Sequence, residues 1–563
     1  MEVDIMDIIM PSEKIKTQRR QQLTLWGAFL GTSFFCTSDA FAELKITGKA
    51  EAEYIFQDVD SESEGQLSLD TFQVTPTINA SLDTKTFTGF WTGSITHLER
   101  DKVDDSRNDT FEEYLYSLVW QPLDRFVQIE AQGALNYQNT NANNYLVSDL
   151  LNNSDSLSKT RSNRISALTN MEQGDWIKIQ GGIAYSDVAS ERSTLNSGNA
   201  LNNNTVELFG GASNGDNPQR FMWEINGAYI NTDRAQNNDD EFITRNGNAF
   251  VEVAVLKNIG VRLAAQHEAN QISNRDDTTS STREFNSYGI GLSYRQSEDR
   301  YIAITANTSD SDVEENDGET FIGLDFSWAL SPRTNLSGSY GRRFYGEAAS
   351  FDASYNSKYL RTNFNYSEDV TNTSRLLANP QNLGVFVCPS ATISIADCFQ
   401  PNSLSYQPDA SEQLVQLTSQ VIEFDDNIIV RKSSNFQAGY DFSRITVALT
   451  SRYAEDDYLD LDRLRRTYSL GTTLVYKLGS YTNLNAEVNY ANITQTAEQE
   501  DLDGESDNWR GSVALQRQLG RYITAVVDFT YADQSGDINA GVGLFGNDFS
   551  DRRLSLSIIY KYQ

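Results

Sequence analysis

From residue 44 onward the chain alternates. Leu44, Ile46, Gly48, Ala50, Ala52, Tyr54 and Phe56 hold the even positions, and Lys45, Thr47, Lys49, Glu51 and Glu53 the odd ones. Side chains of a strand point alternately to opposite faces, so this segment offers one apolar face and one polar face. Val127, Ile129, Ala131, Gly133, Leu135 and Tyr137 repeat the pattern against Gln128, Glu130, Gln132 and Asn136. Thr482, Leu484, Ala486, Val488 and Tyr490 repeat it again against Asn483, Asn485, Glu487 and Asn489. No helical periodicity of similar strength occurs after residue 42, apart from the segment 412–424 inside a long polar stretch at 368–426.

Short and long connections take turns between these segments. Tight ones fall near 83–84, 121–122, 173–174, 257–258, 331–332, 442–443, 478–479 and 519–520. Long, polar, acidic ones fall near 57–66, 99–109, 138–160, 187–204, 308–319, 455–465, 495–507 and 533–550. Strands of roughly ten residues joined in this way predict an all-β fold, a transmembrane antiparallel up-and-down β-barrel. The spacing gives about 24 strands, within about 18–26. A secreted β-sandwich or a solenoid is the competing architecture. In a barrel the closed ring satisfies the backbone amides that lipid cannot, the apolar face meets acyl chains and the polar face encloses water. Tyr54, Phe56, Tyr137, Tyr185, Tyr229, Tyr453, Tyr490 and Tyr531 precede long connections, as an interfacial girdle requires. Pro76 interrupts an otherwise good strand and predicts a bulge or break. The last segment carries Leu554, Leu556, Ile558, Tyr560 and Tyr562 on one face and looks like the C-terminal assembly strand of outer-membrane barrels, although Gln563 follows the usual terminal aromatic.

The N-terminus reads differently. A basic block (Lys14, Lys16, Arg19, Arg20) precedes an apolar run over 23–36 and the triplet Ala40-Phe41-Ala42. This predicts a signal peptide over 1–42 and a single barrel over 43–563, with an uncleaved anchor as the alternative. Two cysteines then remain, Cys388 and Cys398. In an oxidising compartment so close a pair predicts a local disulfide. The long outer loop at 368–426 is expected to fold into the mouth of the barrel, stapled by that disulfide, with a surface flap as the competing arrangement.

Composition narrows the chemistry. With 78 Asp+Glu against 45 Lys+Arg, a formal charge of -33 excludes nucleic acid as a partner. The two histidines, His97 and His267, fall on the apolar register, and no catalytic grouping, metal set or cofactor motif stands out. The expectation is therefore no enzyme, no metal and no cofactor. Acidic runs such as Asp58, Asp60, Glu62 and Glu64 read as hydrated loops. The polar register supplies candidate lumen-facing residues of both signs: Lys45, Lys49, Glu51, Glu53, Glu130, Lys178, Glu224, Arg262, Arg361, Arg452, Glu487, Arg510 and Asp528. A selective filter would use a ring of one sign. A mixed wall suits a wide polar passage, a general diffusion porin, or a structural or glycan-binding barrel that transports nothing.

The stretch 340–372, with Arg342-Arg343-Phe344 and Tyr366-Ser367-Glu368-Asp369 before the long loop, and the strand pair at 428–453 after it, resemble one known group. These are the outer-membrane proteins of PEP-CTERM/exosortase systems and exopolysaccharide loci, within the wider β-barrel porin group. The resemblance implies the outer membrane of a Gram-negative bacterium. Its implied partners are outer-membrane lipid and lipopolysaccharide, the barrel-assembly machinery, and exopolysaccharide with its periplasmic export proteins.

Overall fold

The computed structural model describes residues 43–562 except for segments within the connections, the largest being 192–199, 390–411, 417–426 and 539–547. The predicted leader therefore lies outside the described residues. Twenty-four strands form one antiparallel sheet that closes on itself. The first strand, Glu43–Ser61, pairs with the last, Phe549–Tyr562, from Gly48↔Tyr562 to Ser61↔Phe549. A closed ring has no edge, so every strand finds a ladder partner on both sides.

One register carries the lipid belt. On the last strand Leu554, Leu556, Ile558, Tyr560 and Tyr562 are exposed, whereas Arg553, Ser555 and Ser557 between them are buried. Val488, Trp509 and Phe529 continue the belt on neighbouring strands. His97 and His267 also lie on the outward register, hydrogen-bonded to Thr110 (3.0 Å) and Asn286 (2.7 Å). Apolar side chains exposed all round a polar-lined ring make this a transmembrane β-barrel.

Two expectations change and a third is resolved. The barrel strands run from 10 to 19 residues, most of them longer than the roughly ten that a bilayer needs. Asp58 and Asp60 accordingly sit in a ladder, opposite Arg552 and Ser550, and not in a hydrated loop. Pairing continues above the lipid because outward charges there face water. At Pro76 the expected interruption is a local break and not a bulge: Val74↔His97 is followed by Thr77↔Ser94 in unchanged register, and the ladder skips only Thr75 and Pro76. Lacking an N–H, Pro76 costs the ladder local bonds but not its alignment. Finally, Glu412–Gln416 is a strand paired with Val385–Pro389, not part of a helix. Its Leu414 and Val415 oppose Val387 and Phe386, so strand pairing overrides the helical spacing.

At the outer limit of the belt, tyrosine hydroxyls donate to acidic side chains just above them: Tyr453 to Glu455 (2.9 Å), Tyr490 to Asp507 (2.7 Å) and Tyr531 to Asp533 (3.1 Å). An aromatic body in lipid with its hydroxyl in a polar layer marks the interface.

Candidate functional site

The site is the lumen and its outer mouth. On a concave surface, side chains from strands that are not neighbours converge, and opposite charges can meet across an intervening strand. Arg164 reaches Glu207 (2.6 Å), and Arg295 reaches Glu252 (3.2 Å). Arg262 reaches Asp325 (3.2 Å), two strands beyond its neighbour. The ladder places Gly291, Thr305 and Gly323 in the row beside Arg262, and these small residues leave room for the guanidinium to lie along the wall. It also stacks on Phe250 at 3.8 Å, while Arg295 stacks on Tyr301 at 4.3 Å.

The other predicted lumen residues share this inward register. Lys49 approaches Glu51 (3.7 Å), Glu130 accepts from Gln128 (2.5 Å), and Glu487 accepts from Asn489 (2.6 Å). Asp528 accepts from Thr530 (2.8 Å). Lys45, Glu53, Lys178, Glu224, Arg361 and Arg452 lie on the same face, with Arg452 opposite Asn435 and Ser469 and Arg361 opposite Gly439. The structure therefore distributes these charges around the wall and gathers no ring of one sign. Among the described residues no group of three His, Cys, Asp or Glu could hold a metal.

Near the outer end the inward register turns apolar, with Ile55, Val59, Leu98, Val188, Phe242, Phe285 and Ile429 buried. Three segments fold inward to cover it. The first lies in the connection between the strands Val127–Asn139 and Leu157–Met171. Val147 is fully buried with Val59, Ala532 and Phe549, and Leu151 packs with Ile55, Leu98 and Phe111. Between them Asp149 meets Arg553 (2.6 and 3.2 Å) and Arg510 (3.4 Å). The N–H groups of Leu151 and Asn152 donate to the same carboxylate, at 3.0 and 2.8 Å. Asn152 donates to Asp551 (2.6 Å) and accepts from Gln57 (2.6 Å), and Arg100 donates to the Leu151 carbonyl (3.1 Å). Burial alone would raise the pKa of Asp149, but Arg553 and Arg510 outweigh it and hold the carboxyl at about 2. Tyr137 packs edge-on against Phe111 beneath this segment, so it serves the cover and not the girdle.

The second is a short helix, Thr373–Ala378, in the predicted long loop. Asn372 caps it by accepting from the Arg375 N–H (3.0 Å). Leu376, Leu377 and Ala378 join Val188, Leu201, Ile429 and Tyr458 in a dry cluster that links well-separated parts of the wall. Arg375 donates to Thr232 (2.9 Å), Thr244 (2.7 Å) and the Phe242 carbonyl (2.8 Å), and stacks on the Phe242 ring at 3.8 Å. Burial pulls its pKa down to about 9, which leaves it cationic at neutrality. This part of the long loop enters the mouth. Cys398 and the side chain of Cys388 lie outside the described residues, so the predicted staple does too.

The third is the tight turn at 343–346, closed by Gly346 at φ 115°. It drops Phe344 onto Phe285 and Val430, while Arg343 donates to the Glu368 carbonyl (3.1 Å) and lies 3.8 Å from Glu268. The two short motifs on which the family resemblance rests thus meet at one point of the mouth.

No family model matches the chain, and no curated protein does. Among solved structures, the FrpB iron transporter from Neisseria meningitidis (F3-3 variant) aligns over 92% of this chain and 81% of its own, at 9% identity and TM-score 0.41. The siderophore receptor PirA from Acinetobacter baumannii aligns over 92% and 80%, at 9% and 0.40. OmpT, an outer membrane protein of Vibrio cholerae, aligns over 94% and 99%, at 9% and 0.31. These values are too low to bear on substrate, and the fold rests on the strand pairing itself.

Proposed function

We propose that the protein is an outer-membrane barrel of a Gram-negative bacterium that provides a polar passage for exopolysaccharide, working with the export proteins of an exosortase/PEP-CTERM system. The observation that carries this reading is the wall. Several of its fixed charges pair with opposite ones across strands, as in Arg164–Glu207, Arg262–Asp325 and Arg295–Glu252, and others, such as Glu130 and Glu487, lie among amides. Such a surface exchanges hydrogen bonds with a hydrated polymer without holding it by net charge. The resemblance at 340–372 and 428–453 supplies the link to exopolysaccharide loci.

The decisive experiment is deletion in the native host. Loss of secreted polysaccharide with unchanged small-solute uptake is the expected result. Unchanged polysaccharide with impaired uptake would instead favour a diffusion porin. The inward segments at the mouth favour a second reading, a glycan-binding barrel without transport. Planar-bilayer recordings distinguish the two, since that barrel stays silent even after both 140–156 and 373–427 are replaced by short linkers.

A further inference from the structure

We propose that the stretch carrying Leu146, Val147 and residues 149–152 is a releasable latch on the outer mouth, docked on the lumen side of the seam between the first and last strands. The proposal builds on the passage reading, but its main test does not depend on transport.

The geometry of the docking site supports a latch over a fixed lining. The contacts come from both sides of the seam: Gln57 and Val59 from the first strand, and Phe549, Asp551 and Arg553 from the last. Arg100 and Arg510 approach from strands further out on either side. The segment therefore rests on a wall remote in sequence, with Asp149 reaching a partner 404 residues away. Its polar attachment converges on one carboxylate, and Leu146, Val147, Leu150 and Leu151 add apolar contact on either side of it. Water and counter-ions replace hydrogen bonds and ion pairs when such a contact opens, whereas a dry contact has no equivalent replacement.

The docked state also satisfies the wall. Without Asp149, Arg510 loses a carboxylate and Arg553 keeps only Asp551, with which it pairs at 2.5 Å. A latch whose closed form completes the charge balance of the wall holds firmly at rest. It opens when something else occupies those guanidinium groups or when the carboxylate is lost.

The test uses the full-length protein in proteoliposomes with Val147→Cys as reporter, in a Cys36→Ser/Cys388→Ser/Cys398→Ser background, labelled from outside with a membrane-impermeant maleimide. The reporter is expected to be protected when Asp149 is intact. Asp149→Asn should label about tenfold faster or more, since it leaves the buried Arg553 with one carboxylate in place of two. Equal labelling rates in the two proteins, each verified as a heat-modifiable barrel, would overturn the latch. A second pair, Val147→Cys with Ala532→Cys, should lower channel conductance when oxidised and restore it on reduction. Faster labelling of the Asp149→Asn reporter in a barrel that never conducts, even with both inward segments replaced, would uphold the latch and sink the passage.

Discussion

The two longer inward segments solve one problem by partly different means. The first, around Asp149, adds to its buried Val147 and Leu151 a carboxylate between two arginines and amide contacts to Asp551 and Gln57. The helix Thr373–Ala378 is fastened by leucines in a dry cluster, and its one charge, Arg375, is met by neutral acceptors and a ring. The difference teaches that closing a barrel mouth does not require one kind of adhesion. An ionic fastening answers to protonation and competing ions, while an apolar one answers only to changes of volume or shape. The comparison can be broken or sharpened by substitution.

The largest effect is expected from Arg553→Ala. It leaves the buried Asp551 without its cation and the half-buried Asp149 with Arg510 alone, a loss of about 3 kcal/mol to the docked state. Proteolysis within 140–156 should accelerate, while the helix region stays protected. Of similar size is Leu377→Ala, at about 2–5 kcal/mol for a side chain only 2% exposed. Here cleavage near 379–384 should rise and the first segment stay protected. If either change loosened both segments equally, the two fastenings would be one cooperative unit.

The pH response comes third. Because the folded pKa of Asp149 is depressed from 3.8 to about 2, its contribution is complete above the ordinary carboxylate range and lost as pH falls through about 2. Arg553, Arg510 and Arg100 face it as cations and Asp551 as an acid, with Gln57 and Asn152 as neutral partners. Labelling of the Val147→Cys reporter, divided by that of a freely exposed cysteine to remove the falling thiolate fraction, should therefore be flat from pH 7 to 5 and rise only in stronger acid. The helix should show no matching rise. The smallest effect is expected from Lys159→Ala, which removes an outward pair with the exposed Glu112 (3.6 Å) and should change thermal stability by about 1 kcal/mol or less.

Much of the barrel was legible from alternation alone. Leu554, Leu556 and Ile558 read as lipid-facing, and Val488, now 52% exposed, stands beside inward Glu487 and Asn489. The outer mouth was not legible, for a physical reason. Above the belt both registers change character at once. Outward positions become acidic, as at Asp58 and Asp60, and inward ones become apolar, as at Ile55 and Val59. A period-two pattern with its faces exchanged resembles a loop until its covering partner is known. The partner left one clue, Leu146-Val147 and Leu150-Leu151 within an otherwise polar connection. The attachment of Asp149 to Arg510 and Arg553 left none, because contacts across more than 360 residues have no local signature.

The strands' extra length has a consequence for whatever approaches the cell. The first strand continues five residues past Phe56, the last exposed aromatic of its belt, to Ser61. At about 3.3 Å per residue and a tilt of about 40°, that is a rigid chimney of roughly 12 Å standing above the hydrocarbon. A visitor from the medium would meet the acid-studded outside of this chimney before it could touch the greasy belt.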